Sequence, residues 1–536
     1  MEDQNKGSFF DPKTIAAVVL VGVVWYGWQT YLQKKYPNYN KPQISVTNTV
    51  QHTDGTSTTE TKTENAAPAA SAETKAAIPA TAEKELHFED QNISFTVTSR
   101  GMGLRNVVLN KYVDYDKNPI KLGQSDTNSL FELKLLGSQK PVDFDLKEEA
   151  PGQYVGTAQV GNSTVTRTLK YDAEKQAFSN KVIVTNSSEE VNHGLSLIIP
   201  EKITVPQSKS FLMPNYQHQD FFVKHAGKTD TVNFSSAKDN VSKDFPAVSI
   251  MSAGSQYFSA AIVDKSELIP EASLTSSVAA KTALAELIYK PNANQNQISL
   301  EQILYAGPKS IDILKNIDPE LPGVIDHGVF AVIARPLLYI MKAFYSLIGN
   351  WGMAIICLTL LVRLCVLPFA VMSAKSMKAM QKIQPQLQAL RERYKEDPMA
   401  LNRETYALMK QHKANPMGGC LPMVLQIPVF FALYRVIGSS IELYHSPFFG
   451  WITDLSASDK FFVLPIIVGA AMFLQQKMTP TTMDPAQAKI MAFLPLVFCL
   501  FMLQLPSGLA LYMCVSTLFG ITQQYVFLRD RKKATA

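Results

Sequence analysis

Thirty-nine consecutive residues, 490–528, contain no charged side chain. As a single α-helix this run would be about 58 Å long, at 1.5 Å per residue. That is nearly twice the ~30 Å hydrocarbon core of a bilayer. Pro506-Ser507-Gly508 interrupts it, which predicts two spans joined by a tight turn. Four more apolar segments accompany the pair: residues 14–33, about 350–370, about 421–443 and about 461–476. The reading is therefore a membrane protein with six transmembrane helices. In the first segment the apolar run passes into Trp25, Tyr26, Trp28 and Tyr31 instead of a small-residue cleavage site. An interfacial aromatic anchor of this kind predicts an uncleaved signal-anchor helix over 1–33.

The rest of the 536-residue chain is organised differently, being polar up to about residue 325 and apolar beyond it. All five cysteines (Cys357, Cys365, Cys420, Cys499 and Cys514) fall in or beside the apolar segments. The polar region thus has no disulfide to stabilise it. A net charge of +5 with no broad basic surface gives no sign of sequence-specific nucleic-acid binding. Neither G-x-S-x-G nor H-E-x-x-H occurs, and AGPKS at 306–310 lacks the upstream glycine of a phosphate loop, so a turn is expected there. His218 and His225 stand seven apart without a third ligand nearby. The expectation is a non-enzymatic protein with no catalytic residues, metal or cofactor.

Basic residues in short loops set orientation. Between the second and third apolar segments nine cations face four acids, and further cations follow the fourth segment and the last. The loop after the third segment holds Asp454, Asp459 and Lys460. This predicts both termini in the cytoplasm and the large polar region outside, although the weakly charged flanks of the first segment point the other way.

Residues 34–85 are rich in Thr, Ala, Ser, Asn and Glu, a composition that reads as a flexible linker. From 86 to 325, short alternating runs such as ISFTVTS, LFELKLL, STVTRTLKY, NKVIVTN, LSLIIP and YFSAAIV predict a large exported antiparallel β-sandwich. Residues 326–349 follow, with Arg335 and Lys342 seven apart on one face. They read as an amphipathic helix in the outer interface or as a loosely packed connector.

The basic loop, 373–415, is patterned as a helical hairpin. Met380, Ile383, Leu387, Leu390 and Tyr394 make an apolar seam, with Pro385 expected to kink or weaken it. Asp397-Pro398 predicts an N-cap and first-turn proline for a second helix carrying Leu401, Thr405, Leu408 and His412. The hairpin is either a docking element or a charge run that only satisfies topology. Residues 350–528 then form a five-helix core around this hairpin, and 529–536 a basic tail.

Arg363 is the only charged residue from 343 to 374. A guanidinium cannot shed its charge, and placing it at mid-bilayer costs roughly 2.5–3.5 kcal/mol on insertion scales. It therefore faces protein or a wet cavity. Thr359 lies one turn before it, while Tyr512, Ser516 and Gln523 share one face of the last span. Gln426 sits between Pro422 and Pro428, and Gln504 ends the fifth span. Such groups also serve as helix–helix glue. Arg435 stands one heptad before Glu442, and outward snorkelling or that pairing is preferred to a second inward-facing cation.

GNWGMAIICLTLLVR, NPMGGCLPMVLQIPVFFALY, QKMTPTTMDPAQAKIMAFLP and PSGLALY, in this order, resemble the YidC/Oxa/Alb family of membrane protein insertases of Gram-negative bacteria. The resemblance implies a five-helix core enclosing a hydrophilic groove, open to cytoplasm and lipid and closed toward the periplasm, in the bacterial inner membrane. It places the groove arginine at Arg363 and its neighbouring threonine at Thr359. Further substrate contacts fall on Ile427 and on Tyr512-Met513, where relatives often carry Met and a second Tyr; Gln426 and Ser516 complete the expected site. The implied partners are nascent membrane proteins, the Sec translocon, the lipid bilayer, and the ribosome and signal recognition particle pathway through the hairpin. Two other readings remain at this level. One is a secondary anion transporter using Arg363, for which no repeat is found. The other is a tethered sugar- or peptide-binding protein, for which six spans are more than tethering needs.

Overall fold

Alternation of apolar and polar residues becomes alternation of burial along the strands. Thr282–Tyr289 (TALAELIY) hides every second side chain, and Gln297–Pro308 does the same before its last five residues sink into the interior. This period of two is what a half-buried strand requires. The computed structural model describes residues 83–533 apart from 138, 186–190, 192, 205–216, 236, 238, 292–296, 396, 413–420 and 479–484. The predicted signal anchor, most of the linker and the Asn415-Pro416 stop lie outside the described residues.

The strands form sheets of four, nine and six members, paired antiparallel throughout. In the nine-stranded sheet Gln297–Pro308 lies between Phe258–Asp264 and Ala177–Thr185, so the end of the β region closes its centre. Leu195–Lys202 pairs with Thr282–Tyr289 in the six-stranded sheet and is buried along nearly its whole length. The four-stranded sheet, from Glu85–Glu89 to Pro119–Leu122, contributes Phe95 to an aromatic cluster with Phe178 at 5.1 Å and Tyr171 at 5.9 Å. The expected sandwich is present. One run falls short of expectation: LFELKLL supplies only the strand Leu133–Leu135, because Phe131 adopts φ 58° and turns the chain.

Eight helices are labelled here: α1 Ile311–Ile317, α2 Ala331–Ile348, α3 Trp351–Arg393, α4 Pro398–Gln411, α5 Leu421–Ser439, α6 Val463–Met478, α7 Pro485–Met502 and α8 Ser507–Lys533. Left-handed Gly349 (φ 74°) reverses the chain after α2. Asn350 then caps α3, its side-chain oxygen accepting from Met353 N at 3.0 Å. By length and composition α2 and residues 351–376 of α3 are long and apolar enough to cross a membrane. The expected break at Pro506-Ser507-Gly508 separates α7 from α8.

The hairpin departs from expectation in its first arm. That arm is not a separate helix but the continuation of α3, which runs 43 residues straight through Pro368 and Pro385. Packing offsets the hydrogen bond that Pro385 removes: Met380, Ile383 and Leu387 are buried against Leu408 and Met409 of α4. The N-cap is as expected, with Asp397 accepting from Met399 N at 3.1 Å and Ala400 N at 3.0 Å.

Candidate functional site

Polar side chains from three helices converge on one face of α8. Arg363, twelve residues into α3, donates from Nε to Ser516 Oγ at 2.9 Å, and its Nη2 reaches the same oxygen. No carboxylate lies within ion-pair distance of Arg363 among the described residues. Ser516 thus accepts from the guanidinium without cancelling its charge. One turn before Ser516 on α8, Tyr512 is 1 % exposed and its hydroxyl accepts from Gln426 of α5. The structure therefore brings Arg363, Ser516, Tyr512 and Gln426 together in two linked pairs.

The remaining expected residues sit around these pairs and make no polar contact with them. Thr359 is buried one turn before Arg363 and donates to Ile355 O of its own helix at 2.6 Å. Met513 packs, half-buried, against the apolar core of the bundle. Ile427 is 47 % exposed beside Gln426 and offers an apolar edge. A face with an unneutralised cation, two amphoteric hydroxyls, an amide and an apolar rim can receive a chain that is partly polar and partly apolar.

The end of this face nearer the β region is closed by hydrogen bonds. Ser507 N and Gly508 N, at the start of α8, donate to Ala457 O (2.7 Å) and Leu455 O (2.9 Å). Asp454 accepts from Ser456 N, Ser456 Oγ and His445 Nδ1 at 2.6–2.8 Å, which folds the loop between α5 and α6 onto itself. Asp459 accepts from Leu464 N at 2.7 Å and fixes the start of α6. The β region fastens this cap. Val113 O accepts from Tyr444 OH at 2.8 Å and faces His445 Nε2 at 3.0 Å, while Gln256 donates to Gly438 O.

Residues 343–534 match the family described as 60Kd inner membrane protein, and residues 85–340 match the YidC periplasmic domain. A membrane protein insertase YidC of Syntrophus aciditrophicus is 33 % identical over 559 aligned positions, covering 96 % of this chain and 99 % of that one. The chain belongs to the YidC family. The membrane protein insertase YidC of Geobacter sp. strain M21 is 52 % identical over 226 residues, a match spanning 42 % of each chain. The chain thus spans about two fifths of that relative's length. A solved structure described as an active YidC insertase with its first transmembrane domain resolved covers 83 % of this chain at 19 % identity, with a TM-score of 0.37. Membership makes this an inner-membrane protein whose β-sandwich is periplasmic.

Within that YidC frame, Arg435 does not pair with Glu442. It meets Asp326 at 3.5 Å, while Glu442 takes Lys342 at 2.7 Å. The Asp326–Gly328 turn cups the guanidinium, with Gly328 at φ 60° and Asp326 Oδ1 accepting from Gly328 N at 2.7 Å. The buried His327 lies beside it, and burial, reinforced by Arg335, pushes its imidazole down to about 4. Sequence reasoning missed Asp326 because its partner is over a hundred residues away. The Val113 clamp and Gln256 were missed as well; neither carries a local signal.

Proposed function

We propose that this chain inserts integral membrane proteins into the inner membrane and helps them fold, using the α8 face as a hydrophilic groove. The observation that carries the reading is Arg363, held by a serine hydroxyl and left without a carboxylate among the described residues. A client must bring a short, often acidic, segment across an apolar barrier, and each charge costs several kcal/mol in hydrocarbon. A fixed cation part-way across gives a carboxylate an intermediate stop.

The client's own apolar helix then leaves past the Ile427 edge into lipid. About twenty apolar residues, each worth roughly −0.3 to −0.6 kcal/mol on insertion scales, outweigh one or two crossing charges. Nucleotide hydrolysis and covalent catalysis are not required. The hydrogen-bonded cap fits a groove closed toward the periplasm, with both termini and the α3–α4 hairpin in the cytoplasm. Helix α2 then lies in the outer interface: Asp326 before it and Lys342 near its end reach Arg435 and Glu442, only seven residues apart. Ribosome and targeting-factor contact falls to the hairpin, and the Sec translocon is a further partner. The transporter reading gains nothing from the family match.

Solvent access tests the groove. Single cysteines at Arg363, Thr359 and Tyr512, in a background lacking the native five, are expected to react with a membrane-impermeant thiol reagent from the cytoplasmic side alone. Cysteine at Arg435 is expected to react from outside or not at all. Labelling of Thr359 and Tyr512 from both sides would indicate a through-channel. No labelling at any of the three would mean a dry interface and end the groove reading.

A further inference from the structure

His445, in the loop between α5 and α6, meets a carboxylate with one ring nitrogen and a strand carbonyl with the other. Its Nδ1 lies 2.6 Å from Asp454 Oδ2 in the same loop, and its Nε2 lies 3.0 Å from Val113 O of the β-sandwich. Both partners are acceptors, since an ionised carboxylate and a backbone carbonyl have no hydrogen to give. A neutral imidazole donates from one nitrogen only, whereas the imidazolium donates from both. The geometry is therefore that of the protonated ring.

The surroundings favour the same form. The rings of Tyr115 and Tyr444 stand 5.2 Å and 4.2 Å from the imidazole, centroid to centroid. Both are inside the ~6 Å over which an aromatic ring attracts a cation. Asp114, next to Val113, acts on His445 electrostatically. No lysine or arginine comes within ion-pair distance of Asp454 among the described residues. The other titratable groups here are the hydroxyls of Tyr115, Tyr257 and Tyr444, which burial raises above their ordinary value and so keeps neutral. Glu442, three residues before His445, is taken by Lys342. A left-handed φ of 53°, uncommon away from glycine, sets the ring in this place.

Losing the proton breaks one contact and spares the other. The charge-assisted bond to Asp454 keeps the remaining hydrogen, and the bare Nε2 is left facing Val113 O. That contact is the one that crosses from the loop to the β-sandwich. Tyr444 OH still donates to Val113 O at 2.8 Å, so the junction slackens without coming apart. The same loop supplies Leu455 O and Ala457 O to the first residues of α8, so its hold on Val113 bears on how firmly the cap seats that helix.

We propose that His445 is a pH-sensitive latch between the β-sandwich and the α5–α6 cap, closed when the imidazole is protonated and slack when it is neutral. Histidine is the side chain whose charge ordinarily changes between pH 5 and 8. With the β-sandwich in the periplasm, the latch meets the medium outside the inner membrane. Acid there closes it, and rising pH loosens it. The inference uses the family's location alone and does not depend on the groove reading.

The test is hydrogen–deuterium exchange of the full-length chain in lipid nanodiscs, read by mass spectrometry from about pH 5.5 to 8 and divided by the intrinsic exchange rate at each pH. That range lies above the ordinary carboxyl pKa of about 4. Protection of segments 113–118 and 444–457 is expected to fall about tenfold or more across it, the range of one hydrogen bond to a charged group. His445→Gln, neutral at every pH, is expected to show the low protection already at the acid end, with no further change. His445→Arg, charged at every pH, is expected to keep its protection to the alkaline end. Protection at the sheet centre, 177–185, checks that each variant is folded. Equal normalised protection of both segments at the two ends of the range in wild type would overturn the latch. So would an undiminished pH response in either folded variant, which would move the effect to another group.

Discussion

Arg167 in the β-sandwich and Arg363 in the helical bundle are both withdrawn from water, but their surroundings treat the charge differently. Arg167 is fully buried, donating to Asn180 Oδ1 and to Gly101 O, each at 2.7 Å. Asn180 passes the chain on to Gln302 at 2.5 Å, Gln302 to Tyr289 at 2.8 Å, and Tyr289 to Asp264 at 2.6 Å. Burial pushes the guanidinium down to about 9, and the buried carboxylate of Glu132 opposes the shift. That arginine is tied to two neutral acceptors, with the carboxylate of Glu132 acting on it from beyond ion-pair distance. Arg363 has one serine oxygen and no carboxylate among the described residues. In the sandwich the cost of a buried charge is met inside the protein. In the bundle the charge is left for a visitor.

The comparison breaks first at Arg167. Arg167→Met would leave Asn180 Oδ1 and Gly101 O buried without their donor, and each unpaired buried acceptor costs about 1–3 kcal/mol. Denaturant or thermal unfolding of the full chain should show that loss, while the protein that stays folded inserts clients normally. A small loss of stability would mean that Arg167 is as poorly compensated as Arg363.

Arg363 should give the reverse pattern. Arg363→Ala is expected to change stability by no more than about 1 kcal/mol, the net worth of an ordinary hydrogen bond. Insertion of a client with an acidic exported tail should fall about 10- to 100-fold, equivalent to ~1.4–2.8 kcal/mol, and Arg363→Lys should preserve it. Equal insertion by wild type and alanine variant, at matched expression, would remove attraction as the role.

How far this contrast could be read from sequence follows from the range of each interaction. A bilayer imposes a length and a period, so the apolar runs, the break at Pro506-Ser507-Gly508 and the isolation of Arg363 were legible. The shared face of Tyr512 and Ser516 follows from helical spacing. Which group each one meets does not, because Gln426 and Arg363 arrive from other helices. The continuity of α3 through Pro385 was obscured because a mid-helix proline argues for a kink or weakening, whereas the seam of Met380, Ile383 and Leu387 packs the arm against α4. For Arg435 the sequence left outward snorkelling or pairing with the nearby Glu442, and Asp326, beyond any periodicity, is the carboxylate it meets. Arg167 left no mark at all among the alternating residues of STVTRTLKY.

A smaller effect sharpens the contrast through pH. Glu201, buried in the sandwich, has its carboxyl pushed up to about 8 by burial, against the lowering influence of a hydrogen bond from Gly123 and the nearby Lys309. An unfolded glutamate releases its proton near 4.3. Between these values the native state binds more protons, so stability falls as pH rises. His327 acts oppositely: neutral in the fold down to about 4, it removes stability as pH falls below roughly 6.5. From pH 6.5 to 8 Glu201 contributes a falling slope, about 1–2 kcal/mol over the interval. Melting temperature should decline across that window in wild type and less steeply in Glu201→Gln. A flat wild-type profile would mean that Glu201 is already charged and paired.

The smallest expected effect concerns the third class of cation, those of the α3–α4 hairpin. Lys382, Arg391, Arg393 and Arg403 are exposed to solvent, over an interior sealed by Ile383. Exposed ion pairs such as Arg403 with Glu404, at 3.5 Å, contribute little to stability. Reversing all four charges should therefore shift unfolding by less than about 1 kcal/mol. What these cations can supply is long-range attraction to phosphate-rich or acidic surfaces, screened over about 8–10 Å at physiological salt. Ribosome binding by the reversed variant is expected to weaken about three- to tenfold at low salt and to lose most of its salt dependence. The orientation of the neighbouring helices must be verified first by the cysteine labelling described for Thr359, since the same charges set topology. Unchanged ribosome binding in a correctly oriented variant would leave the hairpin cations a topological role alone. Arg363 would then be the one cation of the three classes that acts on a partner.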